Sequence, residues 1–170
     1  MVGKFRNAGG NFTGPMAYFN QTNRSWRPVG NVRTLTWSMG AYINDISVDC
    51  STDPVGDCVA CDVFVGGSFV ATIASQPVFA LNVLRWNSAA QDWDPMAGNP
   101  DIGQKEVFAI TKKDSGNPFA SNNVWVGGTF KSIFTKYDVS TNQWGKTSFL
   151  PALQGAIYAF YYKVCFSSYY

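Results

Sequence analysis

The sequence predicts an all-β fold, a meander of short antiparallel strands repeated about three times. Three observations carry this expectation. The chain has 11 acidic residues, of which only Glu106 is a glutamate, so it lacks the straight-chain polar residues that helix surfaces use. Aromatics make up 16% and there are 16 Gly, a composition of strands and turns. Two segments are nearly identical, Val63-Phe-Val-Gly-Gly-Ser-Phe69 and Val124-Trp-Val-Gly-Gly-Thr-Phe130.

The bulk properties narrow the function. A chain of 170 residues suits one domain. A net charge of +2 with 13 basic residues does not mark a nucleic-acid binder. No stretch approaches the ~18 apolar residues of a membrane span. The chain has no His, which removes the commonest general base and metal ligand.

Each repeat is expected to hold the same elements. Repeat 1, about 1–41, opens with Met1-Val-Gly-Lys-Phe5, a weaker copy of the Gly-Gly strand with Val2 where Gly66 and Gly127 stand. Met16-Ala-Tyr-Phe-Asn20 follows, then Trp26. Repeat 2, about 42–105, has Tyr42-Ile-Asn-Asp-Ile-Ser-Val48, the Gly66-Gly67 strand, Val83-Leu-Arg-Trp-Asn87 and Trp93. Repeat 3, about 106–155, has Val107-Phe-Ala-Ile-Thr111, the Gly127-Gly128 strand, Phe134-Thr-Lys-Tyr-Asp138 and Trp144. A spare strand, Ala156-Ile-Tyr-Ala-Phe-Tyr-Tyr162, opens the terminal segment 156–170, and Val164–Tyr170 reads as a further strand or a divergent second strand without the Gly pair.

Spacing turns these weak elements into a pattern. Phe19, Trp86 and Tyr137 each precede a Trp by seven residues, at Trp26, Trp93 and Trp144. The apolar alternation marks strands. The polar stretch between reads as a hairpin loop, with Asn or Asp at its start suited to an Asx turn. The paired Gly let the backbone bend and approach its neighbour. The expected repeat core is Phe5, Trp26, Gly66, Gly67, Phe69, Trp93, Gly127, Gly128, Phe130 and Trp144.

This order of apolar strand, Val-x-Val-Gly-Gly, aromatic-Asn/Asp and Trp resembles the kelch-type β-propeller repeat. It is similar to the Gly-Gly-x-Phe repeats of large secreted or cell-surface propeller proteins, including fungal cortical polarity markers. The resemblance implies antiparallel four-stranded blades in an incomplete β-propeller or open β-repeat array. In that order the chain starts at a second strand and ends with a spare first strand. About three blades do not make a comfortable ring. The expectation is then further blades in a longer chain, or strand addition to another copy, which repeated head to tail gives a filament. A sandwich or open sheet is the remaining architecture.

Four Cys allow three pairings. Cys50, Cys58 and Cys61 share the segment 49–62, read as a loop, and Cys165 lies near the end. A bridge from Cys50 to Cys58 or Cys61 would staple that loop. Zinc at Cys58-Val-Ala-Cys61 would need two more ligands, and no His or second Cys-x-x-Cys supplies them. Asp49, Ser51, Asp53 and Asp57 have oxygen ligands for Ca²⁺, but Pro54 and Ala60 hold the places where an EF-hand wants Gly and Glu. Structural disulfides are therefore expected, with no metal and no cofactor. Sequons at Asn11, Asn20 and Asn23 predict N-linked glycans. Cysteines and sequons together predict an extracellular or cell-surface setting, although no apolar signal segment follows Met1.

Catalysis is not expected. No Ser-His-Asp or Cys-His pair is possible, and no nucleophile-elbow or phosphate-loop string occurs. Asp92 and Asp94 beside Trp93 fall on a hairpin rather than in a cleft. Kelch-fold copper oxidases need His ligands, so that branch of the resemblance is excluded. The first expectation is a structural building block that packs against copies of itself. The second is a lectin-like binding module whose Trp26, Trp93 and Trp144 stack on sugars, although their regular spacing fits core positions.

Overall fold

In the computed structural model the described residues are 2–31, 34–52, 58–75, 79–96, 98, 102, 105–112, 122–130, 134–145 and 156–159. Among them there is no α-helix, and thirteen strands form antiparallel sheets. Cys165, Asp53, Pro54, Asp57 and the terminal segment beyond Ala159 lie outside the described residues.

The seven-residue spacing is a hairpin built three times. β3 (Ala17–Asn20) pairs with β4 (Ser25–Pro28), β8 (Phe79–Asn87) with β9 (Asp92–Asp94), and β12 (Phe134–Asp138) with β13 (Gln143–Gly145). Each leading aromatic faces its Trp across the ladder: Phe19 and Trp26, Trp86 and Trp93, Tyr137 and Trp144. The rings meet edge to face at centroid distances of 5.3, 5.3 and 5.0 Å. Such pairs contribute roughly 0.5–1.5 kcal/mol beyond their burial.

The same side chain opens each turn. Asn20 Oδ1 accepts from the amides of Thr22 and Asn23, Asn87 Oδ1 from those of Ala89 and Ala90, and Asp138 Oδ1 from those of Ser140 and Thr141. These are Asx turns, in which a side chain supplies the acceptor that a backbone turn would use. The last loop residue has positive φ in all three, at Arg24, Gln91 and Asn142. Burial, then the charge of Asp94, pushes the Tyr137 phenol up to about 12.

The remaining strands complete the sheets. β6 (Tyr42–Thr52), β7 (Cys58–Ile73), β8 and β9 pair in sequence order, as do β10 (Val107–Lys112), β11 (Asn123–Gly128), β12 and β13. In repeat 1, Val2 bridges Met16, the counterpart of Gly66 facing Val83. The paired glycines have a steric cause. A Cβ on Gly67 would sit 2.2 Å from the carbonyl oxygen of Tyr42, and one on Gly128 would sit 2.2 Å from that of Glu106. Tyr42 and Glu106 each stand one residue before the matching residues Ile43 and Val107 of the first strands.

Two cores lie on opposite faces of the repeat 2 sheet. Val63 and Val65 join Met16, Leu35, Ile43, Phe69, Leu84 and Trp93 on one side. Phe64 and Val83 join Met96, Val107, Ile110, Val124, Val126, Phe130 and Tyr137 on the other. Alternation along β7 sends successive side chains to different cores, as a two-period strand must.

Several features depart from the sequence reading. The Gly-Gly strand of repeat 2 does not end at the glycines. It continues to Ile73, and its second half pairs with β5 (Leu35–Trp37) from the end of repeat 1. A small hairpin, β1 (Asn7–Ala8) and β2 (Asn11–Phe12), interrupts repeat 1 around Gly9-Gly10. Both glycines have positive φ, which a two-residue hairpin turn requires. The described parts of segment 49–62, residues 49–52 and 58–62, are strand rather than irregular loop. They extend β6 and β7 into a two-stranded arm, in which Cys50 and Cys61 face each other and form a disulfide. The bridge therefore ties one ladder rung rather than closing a loose loop. Cys58 opposes Thr52 in the same arm. Ala156–Ala159, expected to begin a strand, are not in one.

Candidate functional site: the seam between repeats 2 and 3

The first strands of repeats 2 and 3 run beside each other without a continuous backbone ladder. β6 instead reaches β10 with side chains. Asp45 Oδ2 accepts from the Ile110 amide at 2.9 Å, and Ser47 Oγ accepts from the Lys112 amide at 2.9 Å. Asp49 forms an ion pair with the Lys112 ammonium. Asn44 Nδ2 donates to the Val107 carbonyl at 2.8 Å and to Glu106 Oε1 at 3.0 Å. Asp45, Ser47 and Asp49 recur at every second residue, so the pleat places them on one face. They satisfy amides that would otherwise form an open strand edge.

The seam has polar and apolar layers. Tyr42 donates its phenol proton to Glu106 Oε1 at 2.7 Å. That hydrogen bond, with partial burial, holds the Tyr42 phenol above its ordinary value. Gly66 leaves room for Val107, whose Cγ1 would be 2.4 Å from a Cβ there. Lys112 Nζ and the Arg85 guanidinium each lie 5.7 Å from the centroid of the Phe64 ring, within cation–π range.

Two polar anchors hold repeat 2 in shape. Asp62 accepts from both Arg85 Nε and Nη2 and from the amide and hydroxyl of Ser88. Burial pushes its carboxyl up, but the Ser88 amide, the Arg85 guanidinium and the Ser88 hydroxyl outweigh that and hold it below the usual carboxylate range. Asn82 sits opposite the register shift between Gly66 and Val70. Its Oδ1 accepts from the Phe69 amide, and its Nδ2 donates to the carbonyls of Ile102 and Lys105. This ties the Gly-Gly strand to the connection entering repeat 3.

The sequence-derived residues fall into place as follows. Gly66, Gly67, Gly127, Gly128, Phe69, Phe130 and Trp93 are buried, while Phe5, Trp26 and Trp144 are half-buried. Trp144 Nε1 donates to the Met96 carbonyl at 2.8 Å. The three Trp thus pack on their own hairpins. Asn20 caps its turn and Asn23 is exposed on it, with Asn23 Oδ1 accepting from Ser25 Oγ. Asn11 lies in β2. Asp49, weighed as a Ca²⁺ ligand, pairs with Lys112 instead. Asp92 accepts from Ser75 Oγ, and Asp94 accepts from the Met96 amide and lies 3.7 Å from Arg85. Among the described residues no group of three His, Cys, Asp or Glu is placed to hold a metal, and no helix is long and apolar enough to cross a membrane.

Sequence reasoning missed Asn44, Asp45, Ser47 and Asn82. The signal was present as polar residues inside otherwise apolar strands. No family model, curated protein or solved structure matches this chain.

Proposed function

We propose that the chain is a non-catalytic structural module of the extracellular space or cell surface. It is a glycosylated building block of a surface or filamentous assembly, whose copies join head to tail by strand addition. The observation that carries this reading is the directional seam. One repeat offers a row of side chains, and the next offers the edge amides of its first strand. The seam joins two repeats of one chain in a single direction, and a joint of that directional kind between copies, if it does not close, grows into an open array. The resemblance to kelch-type repeats, the cross-strand disulfide and the exposed sequon at Asn23 support the same setting.

The test is negative-stain imaging with light scattering on purified protein, intact and truncated before Ala156. Regular fibres that the truncation abolishes are expected. Monodisperse intact monomers at high concentration overturn strand addition between copies. Intact-mass measurement reads the glycans and disulfides in the same sample.

A further inference from the structure

Apart from the seam, the molecule has an open cleft of about 590 Å³ between the N-terminal segment and β5. Its volume falls within the roughly 300–1,000 Å³ of small-molecule sites. Lys4, Phe5 and Arg6 form one wall, and Leu35, Trp37, Ser38 and Gly40 form the other. Lys4 and Arg6 are exposed, and neither makes an ion pair with a described residue. Among the described residues no Asp or Glu lines the cleft. Two exposed cationic residues therefore line one concavity that no described acidic residue shares.

Trp37 is held in place. Its ring meets Phe69 edge to face at 5.1 Å, and a Cβ on Gly14 would be 2.9 Å from its Nε1. The half-buried indole is thus gripped from two sides in a residue that lines the cleft. The exposed Thr36 also lines the cleft and brings a hydroxyl-bearing side chain to it.

We propose that this cleft binds an anionic sugar, a pyranose carrying a carboxylate or sulfate. Arg6 and Lys4 take the anion through charge-assisted hydrogen bonds, for which the guanidinium fork matches a carboxylate or sulfate edge. The Trp37 indole takes the apolar face of the ring, and the Thr36 hydroxyl addresses ring hydroxyls. An inorganic anion would use the cations but not the indole. A neutral sugar would use the indole but leave the cations unpaired. The inference is independent of the assembly reading, since it concerns a site within one chain.

The test titrates the full chain, in monodisperse solution, with digalacturonate, a sulfated N-acetylglucosamine, cellobiose and inorganic sulfate. Calorimetry and tryptophan fluorescence are the readouts. Saturable binding of at least one anionic sugar is expected, at least about tenfold tighter than cellobiose and inorganic sulfate and weakened by high salt. The double variant Lys4→Gln/Arg6→Gln should lose at least about tenfold, the scale of one charge-assisted contact. Trp37→Phe, which keeps an aromatic ring against Phe69, should lose sugar affinity but not weak sulfate binding. Lys136→Gln, in repeat 3, should change nothing. Melting curves establish that each variant is folded. Equal affinity for cellobiose, equal affinity for sulfate alone, no saturation by either anionic sugar, or full affinity in the double variant overturns the proposal.

Discussion

Repeats 2 and 3 share one strand order and one hairpin chemistry, yet they sit in different surroundings. In repeat 2 the sheet is covered on both faces, gains β5 from the preceding repeat and extends into the disulfide-bonded arm. Among the described residues the repeat 3 sheet has four strands and belongs to one core cluster. At matching positions Phe64 is wholly buried, while Trp125 is half-buried and leans on Phe134. Asp62, with its four polar contacts, is matched by Asn123. The turn and the glycine contact are therefore intrinsic to the repeat, whereas burial and charge anchoring come from its neighbours.

Substitutions at matched positions test that division. The largest effect is expected from Phe64→Ala, at about 3–5 kcal/mol, against about 1 kcal/mol for Trp125→Ala, whose site can reach solvent. Equal losses in denaturant unfolding would mean that the two sheets are equally enclosed. Gly67→Ala and Gly128→Ala should each cost about 3 kcal/mol, because the new methyl meets a backbone carbonyl that cannot turn aside. Here the two repeats should agree, and a large difference between the midpoints would show that the contact is not intrinsic.

Cys50→Ser should cost about 2–3 kcal/mol, the scale for a short closed loop. Hydrogen exchange should quicken in the arm and leave the β12–β13 amides unchanged; faster exchange in both would deny that the arm acts locally.

pH should separate the repeats. The Asp62 carboxyl is held low in the folded state, so its stabilisation is present above the ordinary carboxylate value of about 3.9 and is lost as pH falls through the lower folded value. Asn123 has no such dependence. Tyr137 is raised to about 12, so its contribution is intact below the ordinary phenol value near 10 and is lost as pH rises towards 12. Its counterpart Trp86 does not ionise. Residue-resolved exchange should show the amides around Asp62 and Ser88 quickening in acid and those of the β12–β13 hairpin around Tyr137 quickening in alkali, and the reverse pattern at these two places would contradict the assignment. The smallest effects are expected for Asn87→Ala and Asp138→Ala, measured as matched losses in melting, since each removes the acceptor of one turn.

The hairpins were legible in the sequence because their cause is local. Seven residues from aromatic to Trp leave a four-residue loop between paired ends, and Asn or Asp at its start supplies the acceptor. The glycine pairs were legible for the same reason. The continuation of β7 past its glycines was not, because it depends on β5 arriving from repeat 1. The arm looked like a loop because Asp49, Cys50 and Ser51 break the apolar alternation. They do so because Asp49 faces Lys112 and Cys50 faces Cys61. The seam was hidden because its acceptors, Asp45 and Ser47, serve amides more than 60 residues away.

The side-chain row that β6 offers is not copied in β10. Where β6 has Asp45 and Ser47, β10 has Ala109 and Thr111, and where Asn44 reaches Val107, Phe108 stacks on Tyr158 at 4.6 Å. Tandem repeats are prone to docking on the wrong neighbour while they fold. A polar joint after one repeat and an aromatic joint after the next make such mistakes self-correcting. A mispaired repeat would bury a carboxylate against no amide, or leave a ring uncovered. The near-identical segments thus carry different addresses, and the order of the repeats is written into their edges.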